Sequence, residues 1–335
     1  MWSRAQVGTL LFAILPGCAH PQASSHDSSF LATIPDRVVT EWATSGTLRD
    51  RLSHAPADLV LFHVAEERGS LDTCGCPRRP RGSLGRFAGW VDAATSAVPA
   101  PRVVVNTGYW LVDAVDYAGQ TRPDAAEMNS WMARGLDLAG FDAVNVSGHD
   151  ALGLAALPEN THLPLVSANV AGPGIARWVV VERGGIKVGI TGVTAPVATM
   201  GPDGGYRVAT VASAAGTLRE LAAAADVVVL LAWNIEADLP GLLHDAPGVD
   251  VVVPAGLYTE GPPGHTAYGS VWTGSVFQGV QAGELRMAVR AGEVTGAIDR
   301  RVDLDDAIAP RRDVDLLMGE AKRAIDAVQR AAYGG

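Results

Sequence analysis

The apolar positions of this chain fall in short unbroken runs rather than in strict alternation. Leu59 to His63, Arg102 to Asn106 and Asp142 to Val146 are the first three. Leu163 to Val170, Trp178 to Val181 and Val188 to Val193 follow, then Val227 to Leu231 and Val249 to Val253. Runs of this length, rich in Val and Leu, predict strands buried on both faces between helical layers. Longer stretches with apolar residues at helical spacing lie between and after them. Pro123 to Leu138 opens on Pro and stops at Gly140, Ala209 to Ala225 is Ala-rich, and Val314 to Ala332 comes last. Around Ser270 to Gln281 and Gly283 to Val302 the pattern turns to alternation, with Ala291-Gly292 as a hairpin turn. This order predicts an α/β fold: a layered domain with mixed β-sheets flanked by helices. No internal repeat or second linker interrupts it. Residues 36-305 are therefore expected to form one domain, with 306-335 as a C-terminal helix.

The first residues follow a different logic. Arg4 precedes an apolar run, Val7 to Leu15, that is far too short to span a bilayer. Leu15-Pro16-Gly17-Cys18 has the pattern of a bacterial lipobox. Residues 1-17 are thus expected to be a lipoprotein signal peptide, with Cys18 as the lipidated residue and 18-35 as a polar tether. The expected partner is the membrane, reached through the lipid anchor. Ala19 carries no inner-membrane retention signal, so the outer membrane facing the periplasm is the expected location.

Composition narrows the function classes. The 335 residues are 48% hydrophobic, enough for a sizeable core, and the net charge is -10 with no broad basic surface. That balance argues against nucleic acid as a partner. The chain has 3 cysteines, and with Cys18 lipidated only Cys74 and Cys76 remain, which rules out a disulfide framework.

That pair sits in Cys74-Gly75-Cys76-Pro77-Arg78-Arg79-Pro80-Arg81, with Arg86 downstream. A single residue between two thiols allows a tight, strained and therefore oxidising disulfide, and the arginines would stabilise thiolate. Cys74 and Cys76 are accordingly candidates for thiol redox chemistry with a periplasmic redox partner, or for a soft metal such as copper. An inert disulfide stapling the loop is the plain alternative. Arg78, Arg79, Arg81 and Arg86 are candidates for an anion-binding site, against the plainer reading of a solvated basic loop.

The strand-to-loop junctions, where α/β folds place their sites, carry an ordered set of short motifs. They include Glu66-Glu67-Arg68 and the Cys-Gly-Cys loop, Asn106-Thr107-Gly108-Tyr109, and Asp142-Ala-Val-Asn-Val with His149-Asp150. Ser167-Ala-Asn-Val and Gly184-Gly-Ile-Lys-Val-Gly-Ile follow. In this order they resemble the 5′-nucleotidase branch of the calcineurin-like metallophosphoesterases, in particular the UshA-like (seleno)proteins with a Cys-Gly-Cys motif. The likeness runs from about Asp58 to Val302.

The resemblance implies a two-metal centre (Mn, Zn or Fe) that activates water against a phosphoester. It also implies where the ligands should stand, and the chain departs at most of those places. The Asp-x-His place reads Glu66-Glu67-Arg68, and Gly-Asp reads Gly108-Tyr109. The Asn place is Gly148, with His149 and Asp150 retained. The lone His is Trp233, and the last pair falls on Gly256 and Tyr258. Glu66 and His149 remain as candidate metal ligands, His149 and Asp150 as candidates for residual phosphoesterase catalysis. His63, Asp72, Asn106 and Asn145 lie nearby at offsets that the resembled site does not use. Complete 5′-nucleotidases also carry a C-terminal domain that clamps the base, for which no counterpart is expected here. Three classes of function stay open: thiol or metal chemistry at the Cys-Gly-Cys loop, residual metal-dependent hydrolysis, and ligand binding in a cleft lined by Tyr109 and Trp233.

Overall fold

The computed structural model describes residues 38–44, 56–73, 80–116, 118–158, 161–197, 205–256, 263–276 and 278–334. Cys18, Cys74, Cys76, Arg78, Arg79 and Tyr258 lie outside them. The described chain begins with β1 (Val38–Ala43), β2 (Leu59–Val64), α1 (Leu84–Ala97), β3 (Arg102–Asn106), α2 (Ala125–Ala139), β4 (Ala143–Asn145), α3 (Gly148–Gly153) and β5 (Leu165–Val166). It continues with β6 (Val170–Ala171), β7 (Val179–Arg183), β8 (Ile186–Thr194), β9 (Arg207–Val208), α4 (Ala215–Ala222), β10 (Val227–Trp233), α5 (Leu239–Asp245) and β11 (Val251–Ala255). Last come β12 (His265–Ala267), β13 (Ser270–Trp272), β14 (Gln281–Arg290), β15 (Glu293–Asp303) and α6 (Arg312–Tyr333).

Two mixed sheets form the centre. A seven-stranded sheet has the order β1-β15-β14-β2-β3-β4-β5, and a six-stranded sheet has β12-β13-β11-β10-β8-β7. The strands of the site, β2 to β5 in one sheet and β8, β10 and β11 in the other, are parallel. Alternate side chains divide between two faces, as the pleat requires. Leu59, Leu61, Val103 and Val105 meet Val188, Ile190, Val229, Leu231 and Val253 between the sheets. Val60, Phe62 and Val104 point the other way, into a core shared with Trp90, Met132 and Met318 of α1, α2 and α6. Val228, Leu230 and Val252 pack in turn with Leu218 and Leu242 of α4 and α5. The architecture is helix, sheet, sheet, helix, and the apolar-on-both-sides runs are its cause.

Several elements differ from the sequence-based expectation. The run from Leu163 to Val170 is broken into β5 and β6, because Asn169 turns its side chain to the backbone of β8. Its Oδ1 accepts the Thr194 N–H at 3.0 Å and its Nδ2 donates to the Thr194 carbonyl at 2.8 Å. The Ala-rich helix is shorter than 209–225: a 3₁₀ turn over Val211–Ala214 leads into α4, which ends at Ala222. Among the described residues of Ser270 to Gln281 only Ser270–Trp272 is a strand before Gln281; it runs antiparallel to β12, as the alternation suggests, but parallel to β11 in the second sheet. The hairpin at Ala291-Gly292 is present, with both residues at positive φ, 51° and 83°. Helices α1, α3 and α5 and strands β1, β9 and β12 have no counterpart in the pattern.

Candidate functional site

Register brings the junctions together. Val64 of β2 pairs with Asn106 of β3, so the residues just past both strands lie side by side. The Glu66 N–H donates to the Gly108 carbonyl at 3.0 Å, and the Arg68 N–H to the Tyr109 carbonyl at 3.0 Å. In the second sheet Trp233 of β10 pairs with Ala255 of β11. Past these strand ends the backbone enters the left-handed region at non-glycine residues: Glu66 (φ 62°), Arg68 (49°), Tyr109 (59°) and Asn234 (53°). All four line one cleft. Conformations of this kind cost energy and are retained where the surroundings enforce them.

The cleft has a volume of about 340 Å³, and Glu66, Arg68, Tyr109, Asp113, His149 and Trp233 are among the residues of its wall. The His149 ring stacks on Tyr109, with centroids 4.2 Å apart and planes 16° from parallel. Trp233 stands edge-on to both, at 5.8 and 5.6 Å. The Arg68 guanidinium carbon lies 4.7 Å from the Tyr109 centroid, and its Nη2 is 3.3 Å from Glu66 Oε2. His149 Nδ1 is 3.0 Å from Asp113 Oδ1, while the Tyr109 hydroxyl donates to Asp113 Oδ2 at 2.9 Å. An ionised carboxylate can only accept, so Nδ1 is the protonated nitrogen and Nε2 faces elsewhere.

Charge states follow from these partners. Partial burial pushes the Asp113 carboxyl up, but the bonds from His149 and Tyr109 outweigh it and hold the group below its usual range. Burial wins at Glu66, whose pKa is raised although Arg68 opposes the shift.

Asp150, a candidate catalytic acid by sequence, is placed differently from His149. It is fully buried. Oδ2 accepts the N–H groups of Tyr109 at 2.7 Å and Ser147 at 2.9 Å, and Oδ1 accepts that of Leu111 at 2.9 Å. With the Ser147 hydroxyl it forms a capping box at the start of α3. Its side chain thus fixes the loop that carries Tyr109, and burial pushes its pKa up to about 6. Glu67, behind Glu66, accepts from Asn106 Nδ2 at 2.8 Å, and burial pushes it up to about 7.

The other sequence candidates among the described residues stand away from the cleft. Arg81 pairs with Asp303 at 3.1 Å, and Arg86 Nη1 donates to the carbonyls of Pro80 at 2.8 Å and Leu304 at 3.3 Å. Both tie the start of α1 to the end of β15. His63 is buried between the sheets, where desolvation and then Arg301 lower its pKa to about 3. Asn145 Nδ2 donates to the carbonyls of Thr107 and Leu231. Asp72 accepts the Thr73 N–H. Asp113 was missed by sequence. It lies in a loop without regular structure, and its spacing of four from Tyr109 is a faint signal at best.

The places where the resemblance expects metal ligands therefore do converge: Glu66, Arg68, Tyr109, His149, Trp233 and Gly256 all line the same cleft. The donor set does not fit a two-metal centre. A guanidinium stands where an imidazole is expected, a phenol where a carboxylate should bridge, and an indole where the lone His should be. Hard and borderline divalent ions take carboxylate and imidazole donors. Among the described residues no group of three His, Cys, Asp or Glu is placed to hold an ion.

No family model matches the chain, and no curated protein matches it by sequence. Solved structures do match. The 5′-nucleotidase precursor of Thermus thermophilus superposes with a TM-score of 0.65 at 19% identity, over 80% of this chain and 59% of that one. The sulfate thiohydrolase SoxB of the same organism gives 0.65 at 12% identity, over 81% of this chain and 61% of that one. The calcineurin-like phosphoesterase YfkN of Bacillus subtilis gives 0.60 at 15% identity, over 82% of this chain and 99% of that one. The chain has the calcineurin-like phosphoesterase fold in the form found in 5′-nucleotidases. It spans about three fifths of the two Thermus proteins.

Proposed function

We propose that this chain is a lipoprotein of the bacterial cell envelope, anchored at Cys18 in the outer membrane, whose phosphoesterase-fold cleft binds a ligand without hydrolysing it. The observation that carries this reading is Arg68: a guanidinium paired to Glu66 and lying over Tyr109 occupies the wall where metal ligands would converge. A fixed cation there repels divalent ions, and Tyr109 and Trp233 supply no carboxylate to offset it. The fold alone does not dictate phosphoester chemistry either, since SoxB is a sulfate thiohydrolase on the same scaffold.

Metal content by mass spectrometry, together with phosphate release from nucleoside monophosphates in added Mn or Zn, tests the reading. Substoichiometric metal and no release are expected. Two ions per chain with phosphate release would overturn it. For the anchor, the wild type should incorporate labelled fatty acid in cells and Cys18→Ala should not.

A second reading places thiol chemistry at Cys74 and Cys76. Its support is that Asp72 and Gly82, on either side of that segment, line a small cavity together with Glu67. A buried carboxyl with a pKa of about 7 can exchange protons near neutral pH. Closing the pair would pass two protons and two electrons to the disulfide of an oxidising partner, which leaves as a dithiol. Thiol titration across a glutathione redox series tests it: a reversible transition lost in Cys74→Ser is expected, and thiols inert at every potential would rule it out.

A further inference from the structure

We infer that an internal clamp of side chains replaces the structural part of a two-metal centre. Arg68 and His149 pack on the Tyr109 ring, each is paired with a carboxylate, and together they join the ends of β2, β3 and β10 to α3. This rests on the non-hydrolytic reading above and goes beyond it, because a cleft that lacks metal need not be clamped at all.

Ions in such a centre bridge side chains from several strand ends, and the energy of binding them is also folding energy. Here the same strand ends are bridged without an ion. Beyond β2, the Glu66 carboxylate is 1% exposed and has the Arg68 guanidinium at 3.3 Å. A buried carboxylate stripped of its cation is strongly destabilising. The contact is one of charge rather than of alignment, since neither Glu66 Oε2 nor Arg68 Nε has a hydrogen-bond partner among the described residues. Arg68 also reaches the end of β3, where its guanidinium carbon is 4.7 Å from the centre of the Tyr109 ring. His149 of α3 lies on that ring at 4.2 Å. Asp113 closes the circuit, with His149 Nδ1 at 3.0 Å from one oxygen and the Tyr109 hydroxyl at 2.9 Å from the other. Trp233, at the end of β10, stands edge-on to Tyr109 and His149 at 5.8 and 5.6 Å and brings in the second sheet.

The residue types suit this role. A guanidinium keeps its charge, and its plane lets it lie on an aromatic ring while its edge faces an acid. Tyr109 offers its ring to two partners and its hydroxyl to a third. The backbone supplies an independent sign. Glu66, Arg68 and Tyr109 are all left-handed, with φ of 62°, 49° and 59°. Non-glycine residues hold that conformation at a cost, and only where their surroundings over-determine it. Two backbone hydrogen bonds join these loops, from Glu66 to Gly108 and from Arg68 to Tyr109, and the side-chain contacts add to them. A wall that merely filled the space of lost ions would need no charge pairing, because apolar side chains of that volume pack as well.

The test is urea denaturation of the full chain in detergent and excess chelator, run as a double-mutant cycle. Arg68→Met, which keeps an apolar stem, should lower the midpoint, and should lower it markedly less on a Glu66→Gln background. Amides of residues 65–69 and 107–112 should exchange at least about tenfold faster in Arg68→Met. Equal midpoint shifts on both backgrounds would show a residue that only fills space and would overturn the clamp. Should Arg68→Met fail to fold, Tyr109→Phe combined with Asp113→Asn gives a milder cycle, and additivity there has the same force. Chelator and added Mn or Zn should leave the wild-type midpoint where it is. A midpoint raised by metal overturns the clamp as a replacement, and release of phosphate from nucleoside monophosphates alongside it overturns the non-hydrolytic reading too. Additive cycles with a metal-independent midpoint overturn the clamp alone.

Discussion

Asp150 and Glu67 show how burial assigns work to single side chains. Asp150 looks catalytic by motif, but its oxygens serve the backbone of Tyr109, Leu111 and Ser147. Asp150→Ala would strand three buried N–H groups. Even at the low end of about 1 kcal/mol each, the variant should lose about 3 kcal/mol or more of stability, read by urea denaturation. It should also disturb the Tyr109–His149 stack. Glu67 and Asp150 further set a pH dependence. Their pKa values rise from 4.5 to about 7 and from 3.8 to about 6 in the folded chain. The folded state therefore holds these protons more tightly than the unfolded state, and stability is lost as pH climbs through this range. The urea midpoint should fall between about pH 5 and about pH 7, and Glu67→Gln, which keeps the acceptor for Asn106, should flatten the fall. A midpoint that rises over that interval would refute the assignment. The cleft itself was legible from the motifs because the resemblance fixed which strand ends to inspect. Asp113 was not, since a loop acid reveals its partner only once folding brings α3 beside it.

At the level of elements, the strands were readable because burial on both faces leaves no polar position to disguise them. Helix α1 was not. It carries Gly85 and Gly89, which lower helix propensity, and it starts from Ser83 at a φ of 92°. Both glycines are there for packing. A methyl group on Gly85 would crowd Pro310 at 3.3 Å, and one on Gly89 would collide with the Ala309 carbonyl. Gly89→Ala should therefore destabilise the protein, although propensity alone favours Ala by about 1 kcal/mol. A lowered thermal midpoint is the expected result, and a raised one would show that the 309–311 segment gives way. Strand β1 escaped for the opposite reason: Val-Val-Thr-Glu-Trp-Ala at the sheet edge lacks a continuous apolar run.

For the whole molecule, α6 is part of the main core rather than an appendage. Val314, Met318, Ala321 and Ile325 are buried with Phe87, Trp90 and Met132. Met318→Ala should cost about 2–5 kcal/mol, measured as a lower urea midpoint with an unchanged slope. The C-terminal hairpin has the wider reach. It is wedged between the first two described strands, with β15 on β1 and β14 on β2, so that Ala43 pairs with Ile298 and Leu59 with Met287. The larger sheet is consequently closed by residues near opposite ends of the sequence, which makes its assembly slow and late. A ribosome-bound chain has no partner for β1 until residue 303 has been made. On the lipoprotein reading proposed above, this ordering is an advantage for export: the polypeptide stays threadable until synthesis is nearly over.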